Sequence, residues 1–177
     1  MSYVDILVLR HLSSRPAHGY ELRKRIEATT GFTLNNNSLY PALRRFEEAG
    51  AVTRTVEQQQ GRPARNVYEL TGIGREMLHD LLAELPADQA ADDLEFMTRL
   101  GQFSLLTPAE RDAVLDARDR ALAQRIARVT GLREGARGDF WSEVVTSEVI
   151  RRDTRERDWL ASLRAAGARH SVPDNRE

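Results

Sequence analysis

The sequence predicts a mainly α-helical chain, with an N-terminal winged helix-turn-helix and small β-hairpin wing followed by an all-helical dimerisation region. Three observations predict it. From Asn37 to Glu47, Leu39, Leu43 and Phe46 follow at helical spacing and form an apolar underside, which leaves Tyr40, Arg44 and Arg45 on an open face. Further on, Gly61-Arg62-Pro63-Ala64-Arg65 makes a basic turn between two segments that alternate like strands. Beyond Pro86 the apolar residues recur at helical spacing through to Gly167.

Each element has its own signal. Val4, Leu7, Val8 and Leu12, widened by Ile6 and Leu9, predict a core helix that Pro16 ends. His18-Gly19-Tyr20-Glu21-Leu22 opens a second helix with Leu22 and Ile26 inward, closed by Gly31 as a left-handed C-cap. Pro41 lacks an N–H and belongs in a first helical turn, so Ser38 is expected as N-cap of the third helix, with Gly50 its stop. Val52, Arg54 and Val56 alternate with Thr53 and Thr55 as a half-buried strand, Val67 to Leu70 is its partner, and Gln58 to Asn66 is expected to be a protruding loop. Thr71 then caps a fourth helix through Ile73, Met77, Leu78, Leu81 and Leu82.

Pro86 to Asp93, small and acidic, is expected to be a linker between a DNA-binding part at 1–85 and a helical part at 94–167. In the second part, Thr107-Pro108-Ala109-Glu110 places a cap and a first-turn proline ahead of a long helix. Leu115, Leu122 and Val129 are spaced by sevens, a pattern shared by a coiled coil and an ordinary amphipathic helix. A last helix from about Asp139 carries Phe140, Trp141, Val144, Val145 and Val149, then Trp159, Leu160 and Leu163. Its first half is too apolar to stand in water, so self-association is expected. Arg151 to Asp158 alternates in sign and is expected to be an exposed, pair-laced face; the tail from His170 is expected to be disordered.

His18-Gly19-Tyr20-Glu21-Leu22, Ser38-Leu39-Tyr40-Pro41-Ala42-Leu43, Gly61-Arg62-Pro63 and Tyr68-Glu69-Leu70-Thr71 resemble, in order and spacing, the PadR family of bacterial transcriptional regulators. That resemblance implies a homodimeric repressor of double-stranded DNA. It further implies a C-terminal helical region whose helices interlock between protomers, and release by a small-molecule effector. The C-terminal likeness rests on helix order and apolar pattern, and no effector residue is identified by it.

The residues expected at DNA are Tyr20, Asn37, Ser38, Tyr40, Pro41, Arg44, Arg45, Arg62 and Arg65. Tyr40, Arg44 and Arg45 would enter the major groove, Arg62 and Arg65 would grip backbone, and Tyr20 stands at a helix start that favours phosphate. Each has a plainer alternative. Tyr40 as a half-buried core aromatic, Arg44 and Arg45 paired with Glu47 or Glu48, a wing without a partner and local packing of Tyr20 remain open at this stage. Trp141 and Trp159 either line an effector pocket or pack.

Composition narrows the classes. A chain of 177 residues with 41% hydrophobic content can bury a core, and its formal charge of −1 places the weight on clustered cations, most of them arginine. With no cysteine and four scattered histidines, neither thiolate chemistry nor a zinc site is expected, nor any cofactor. There is no Gly-rich phosphate loop and no His-Glu metal helix, so an enzyme is not expected. No signal peptide or membrane span is legible, and a cytoplasmic, nucleoid-associated protein is expected. The rival reading is a winged helix used as a protein-binding adaptor, which would not shift DNA even at low salt.

Overall fold

The structure, a computed structural model, describes residues 2–31, 33–59, 62–135 and 139–170. It divides into two compact units, Met1–Leu82 and Ala83–Glu177. The first is a winged helix-turn-helix. Helix α1 spans Tyr3–Ser14, β1 Ala17–His18, α2 Gly19–Thr30, α3 Asn36–Glu48, β2 Val52–Gln59, β3 Arg62–Leu70 and α4 Gly72–Ala83. Ile6, Val8 and Leu9 of α1, Leu22 and Ile26 of α2, and Leu39, Leu43 and Phe46 of α3 are all buried, as their spacing predicts. Gly31, at φ +71°, closes α2 as expected.

Helix α3 starts a turn earlier than Pro41 suggests: Asn35 is the N-cap and its Oδ1 accepts from the Asn37 amide at 2.9 Å. Ser38 is therefore inside the first turn, and Pro41 lies in the helix, where it leaves the Asn37 carbonyl without its i+4 donor. The asparagine side chain is an equally good cap and captured the start.

The wing is also longer in strand than expected. Val56 pairs with Asn66, Glu57 with Arg65 and Gln59 with Arg62, with a bulge between Glu57 and Gln59, so most of the expected loop is antiparallel ladder. The ladder tolerates Pro63 because β1 meets β3 only at Val67 and Tyr68, which leaves the other edge of β3 open at that height. Gly61 and the Arg62 side chain lie outside the described residues. The sheet order is β1-β3-β2.

Thr71 caps α4 as expected. Its Oγ1 accepts from the Gly74 amide at 3.1 Å and donates to the Gly50 carbonyl at 2.7 Å, tying the end of α3 to the start of α4.

The second unit is all helical. Helix α5 spans Asp93–Leu100, a single 3₁₀ turn Phe103–Leu105, α6 Pro108–Gly135 and α7 Phe140–His170. Asp92 caps α5 by accepting from Leu94 and Glu95. Thr107 and Glu110 form the capping box of α6, with the Thr107 amide donating to Glu110 at 2.8 Å. Leu85, Ala90, Phe96, Val114, Leu115, Leu122 and Leu160 make one core.

Within the segment expected as a linker, Ala90 is buried in this core. Arg99 Nε donates to the Glu84 carbonyl at 3.0 Å, Arg118 Nη1 to Ala90 at 3.0 Å and Arg125 Nη1 to Ala91 at 3.2 Å. These guanidinium donors supply the hydrogen bonds that a chain without secondary structure needs when buried. Helices α6 and α7 run antiparallel along an ion-pair seam of Arg118–Glu156, Arg125–Asp153, Arg157–Asp119 and Arg164–Asp116. In the Arg151–Asp158 run, Arg151, Arg152, Thr154, Arg155 and Asp158 are exposed as its alternation suggests, whereas Asp153, only 2% exposed, Glu156 and Arg157 turn to partners on α6. No described helix is long and apolar enough to cross a membrane.

Candidate nucleic-acid interface

The amphipathic cut of α3 decides which side chains it offers. With Leu39, Ala42, Leu43 and Phe46 buried, Asn37, Ser38, Tyr40, Pro41, Arg44 and Arg45 are left exposed. Of the two arginines on this face Arg44 is the more available: its side chain is 81% exposed against 53% for Arg45, and it pairs with Glu48 of the same face at 3.6 Å. Such a pair contributes little and yields readily to a phosphate or a base edge.

Arg45 behaves differently. Its Nη2 donates to Asp5 Oδ1 at 2.6 Å, while Asp5 Oδ2 accepts from the Ser2 amide at 2.8 Å. Asp5 is almost fully buried, so Arg45 is the counter-charge that makes this carboxylate tolerable, and it braces α3 against α1. Glu47, weighed as a partner of the helix arginines, instead accepts from Arg54 Nε on β2 at 2.9 Å.

Beside α3, a groove of about 450 Å³ is lined by His18, Gly19, Tyr20, Glu21, Tyr40, Arg65, Asn66 and Tyr68. Three elements meet there. The short β1–β3 pairing brings His18 opposite Val67, so that the start of α2 and the base of the wing share one wall. His18 caps α2 without a side-chain hydrogen bond, so its imidazole satisfies none of the first backbone donors of the helix.

Tyr40 is 46% exposed, between the two alternatives its sequence context allowed, and its ring lies against Gly19. Tyr20 is well exposed, with Arg23 and Lys24 each over its ring at 5.4 and 5.3 Å. Arg65 is exposed on β3 opposite Glu57.

Among the described residues lining this groove Glu21 is the one carboxylate, with Glu57 3.8 Å from His18 beside it, and the Arg25 guanidinium, donating to Glu21, holds its carboxyl below the usual range, with Arg15 adding at 3.2 Å. It is therefore neutralised from its own helix and from the turn before it. Tyr68 is pushed above the ordinary phenol value, chiefly by burial, so it stays a neutral hydroxyl at physiological pH. What remains is a rim of hydroxyls, a helix start and the exposed Arg65 opposite Glu57, which suits the phosphates and base edges of a duplex.

Of the residues predicted from sequence, Tyr20, Tyr40 and Arg65 are brought together at this groove, and Asn37, Ser38, Pro41 and Arg44 share the exposed face of α3. Sequence reasoning did not bring Asn66 or Tyr68 to the site because it missed the β1 pairing, a two-residue strand having no period to read.

Residues 8–80 match the family model "Transcriptional regulator PadR-like family". A probable transcriptional regulator of Mycobacterium tuberculosis is 31% identical over 132 residues, covering 71% of this chain and 65% of that protein's own length. The negative transcriptional regulator PadR of Bacillus subtilis is 23% identical over 181 residues, covering 93% and 97%. The crystal structure of Bacillus subtilis PadR in complex with operator DNA is 21% identical, covers 94% of this chain and 98% of its own, and superposes with a TM-score of 0.44. The domain match coincides with the winged helix-turn-helix built above, so that it is the segment 8–80 that carries the likeness to the PadR-like family of transcriptional regulators.

Proposed function

We propose that this protein is a ligand-responsive transcriptional repressor that binds an inverted-repeat operator as a homodimer. The observation that carries the reading is α3: its buried underside fixes an open face on which Tyr40 and the nearly free Arg44 project together. In the dimer, two such helices enter successive major grooves about 34 Å apart while Arg62 and Arg65 of each wing lie along flanking backbone. Phosphate contacts give most of the affinity, and base-edge contacts give the preference. Its place of action is then the nucleoid.

Support for the dimer comes from the end of the α6–α7 hairpin, where Leu132, Phe140, Trp141, Val144 and Val145 are exposed and Phe140 meets Trp141 edge to face with centroids 5.0 Å apart. An apolar cluster of this kind is stabilised by burial against a second copy. Trp141→Asp should weaken self-association by about 2 kcal/mol or more, as truncating an aromatic anchor does at other interfaces. Sedimentation velocity across a concentration series checks it, and an unchanged dimer would remove the hairpin end from the interface.

For ligand response, Trp159 and Met97 line a groove of about 700 Å³ in the second unit together with Arg152 and Arg155, whereas Trp141 lies outside it. Selection of bound duplexes from a random DNA pool, with salt titrated, tests the function as a whole. The reading expects a palindrome to be enriched and affinity to fall steeply with salt; no duplex shift at low salt would favour the protein-adaptor role instead.

A further inference from the structure

Gly19 occupies the first position of α2, where its backbone has no need of glycine: φ is not positive there, and alanine is the better helix former. What it accommodates is a side chain. A Cβ at Gly19 would stand 2.8 Å from Tyr40 Cε1 and 3.1 Å from the Tyr40 hydroxyl oxygen, closer than carbon atoms pack. The atoms in the way belong to the far end of Tyr40, so a methyl group would swing the ring aside without moving either helix. Gly19 itself is buried, and the ring lying on it is what connects the start of α2 to the reading face of α3.

From this we infer that Gly19 is a specificity-determining positioning residue: by offering no side chain, it seats the Tyr40 ring and fixes where its hydroxyl meets a base or phosphate. The inference rests on the DNA-reading role proposed for α3. Gly19 acts only through Tyr40, so its replacement should alter which duplex is preferred more than how firmly DNA is held or how stable the chain is. A structural role alone would do the reverse.

The test compares wild type, Gly19→Ala, Tyr40→Ala and the double variant, each titrated with a pool-selected duplex and a scrambled one. Gly19→Ala should lose about tenfold of the preference for the selected duplex, in line with one misplaced base contact, while thermal unfolding stays close to wild type. In the Tyr40→Ala background, Gly19→Ala should have no further effect, because the clash is gone and the coupling with it. Additive losses, or an intact preference in Gly19→Ala, would overturn the inference. If Gly19→Ala fails to fold, the double variant must regain the melting behaviour of Tyr40→Ala; continued unfolding would overturn it too. The Tyr40 ring resonances give a readout independent of DNA: they should shift in Gly19→Ala, and unmoved resonances would sink the seating role. Wild type with no preference for any duplex would sink the DNA reading, a different failure.

Discussion

Arg118→Ala should destabilise the second unit by about 3 kcal/mol, the largest single-residue effect expected in the chain. The Arg118 side chain is 1% exposed, and it holds together groups from different segments: Nε and Nη2 donate to Glu156 of α7, Nη2 to Asp93 at the start of α5, and Nη1 to the buried Ala90 carbonyl. Its guanidinium also lies 5.2 Å from the centroid of the Phe96 ring. Burial alone would pull its pKa down, but the hydrogen bonds it donates to Glu156 and Asp93 outweigh that and hold it above the usual guanidinium value, so it stays charged.

Removing it empties a large volume in the core and strands the Ala90 carbonyl, while Asp93 and Glu156 recover some hydration because neither is fully buried. That relief keeps the loss near the lower end for a broken buried pair. Arg118→Lys should recover little, since one ammonium cannot reach all the partners that the fork reaches. Both tryptophans of the chain, Trp141 and Trp159, belong to this unit, so urea unfolding followed by tryptophan fluorescence reports it directly. A loss under about 0.5 kcal/mol, the range of an ordinary surface change, would refute the role given to Arg118.

The second large effect is expected from Gly74→Ala, in the first unit. A Cβ there would lie 2.2 Å from the Ala51 carbonyl oxygen and 2.5 Å from Leu70 Cδ1, and Ala51 is fully buried main chain that cannot step aside. Alanine would favour the helix by up to about 1 kcal/mol over glycine, but overpacking of this kind costs about 1–3 kcal/mol and here displaces backbone. Steric strain therefore wins, with a net loss of about 2 kcal/mol. The same shift would pull on Thr71, whose amide donates to that Ala51 carbonyl at 3.1 Å. Gly72→Ala is the control: nothing lies within 4 Å of its Cβ, and it should be neutral or slightly stabilising. Circular dichroism melting should separate the two, with equal melting of both variants contradicting the packing described.

Leu39, Leu43 and Phe46 announced the buried face of α3, and hence its open face, because helical periodicity is a local signal that tertiary packing must respect. Gly31, Thr71 and Thr107 were legible for the same reason: a cap bonds to residues within one turn of itself. The start of α3 was misplaced because Pro41 and Asn35 each gave a valid local signal, and the asparagine cap prevailed.

Partners distant in sequence were not legible. Nothing near Arg45 points to Asp5, nothing near Arg118 points to Ala90, and within the Arg151–Asp158 run nothing singled out Asp153, Glu156 and Arg157, whose partners lie on α6. Arg45 shows the consequence for the site. On sequence it was equivalent to Arg44, yet a buried carboxylate claims it and leaves Arg44 as the freer cation of the face.

The central claim, that the open face of α3 reads bases while the wing holds backbone, is tested most directly by measuring Arg44→Ala and Arg65→Ala on a pool-selected and a scrambled duplex over a range of salt. Arg44→Ala should lose about tenfold or more on the selected duplex with little change on the scrambled one, whereas Arg65→Ala should weaken both alike and lower the salt slope by about 1. Equal losses on both duplexes from Arg44→Ala would contradict it.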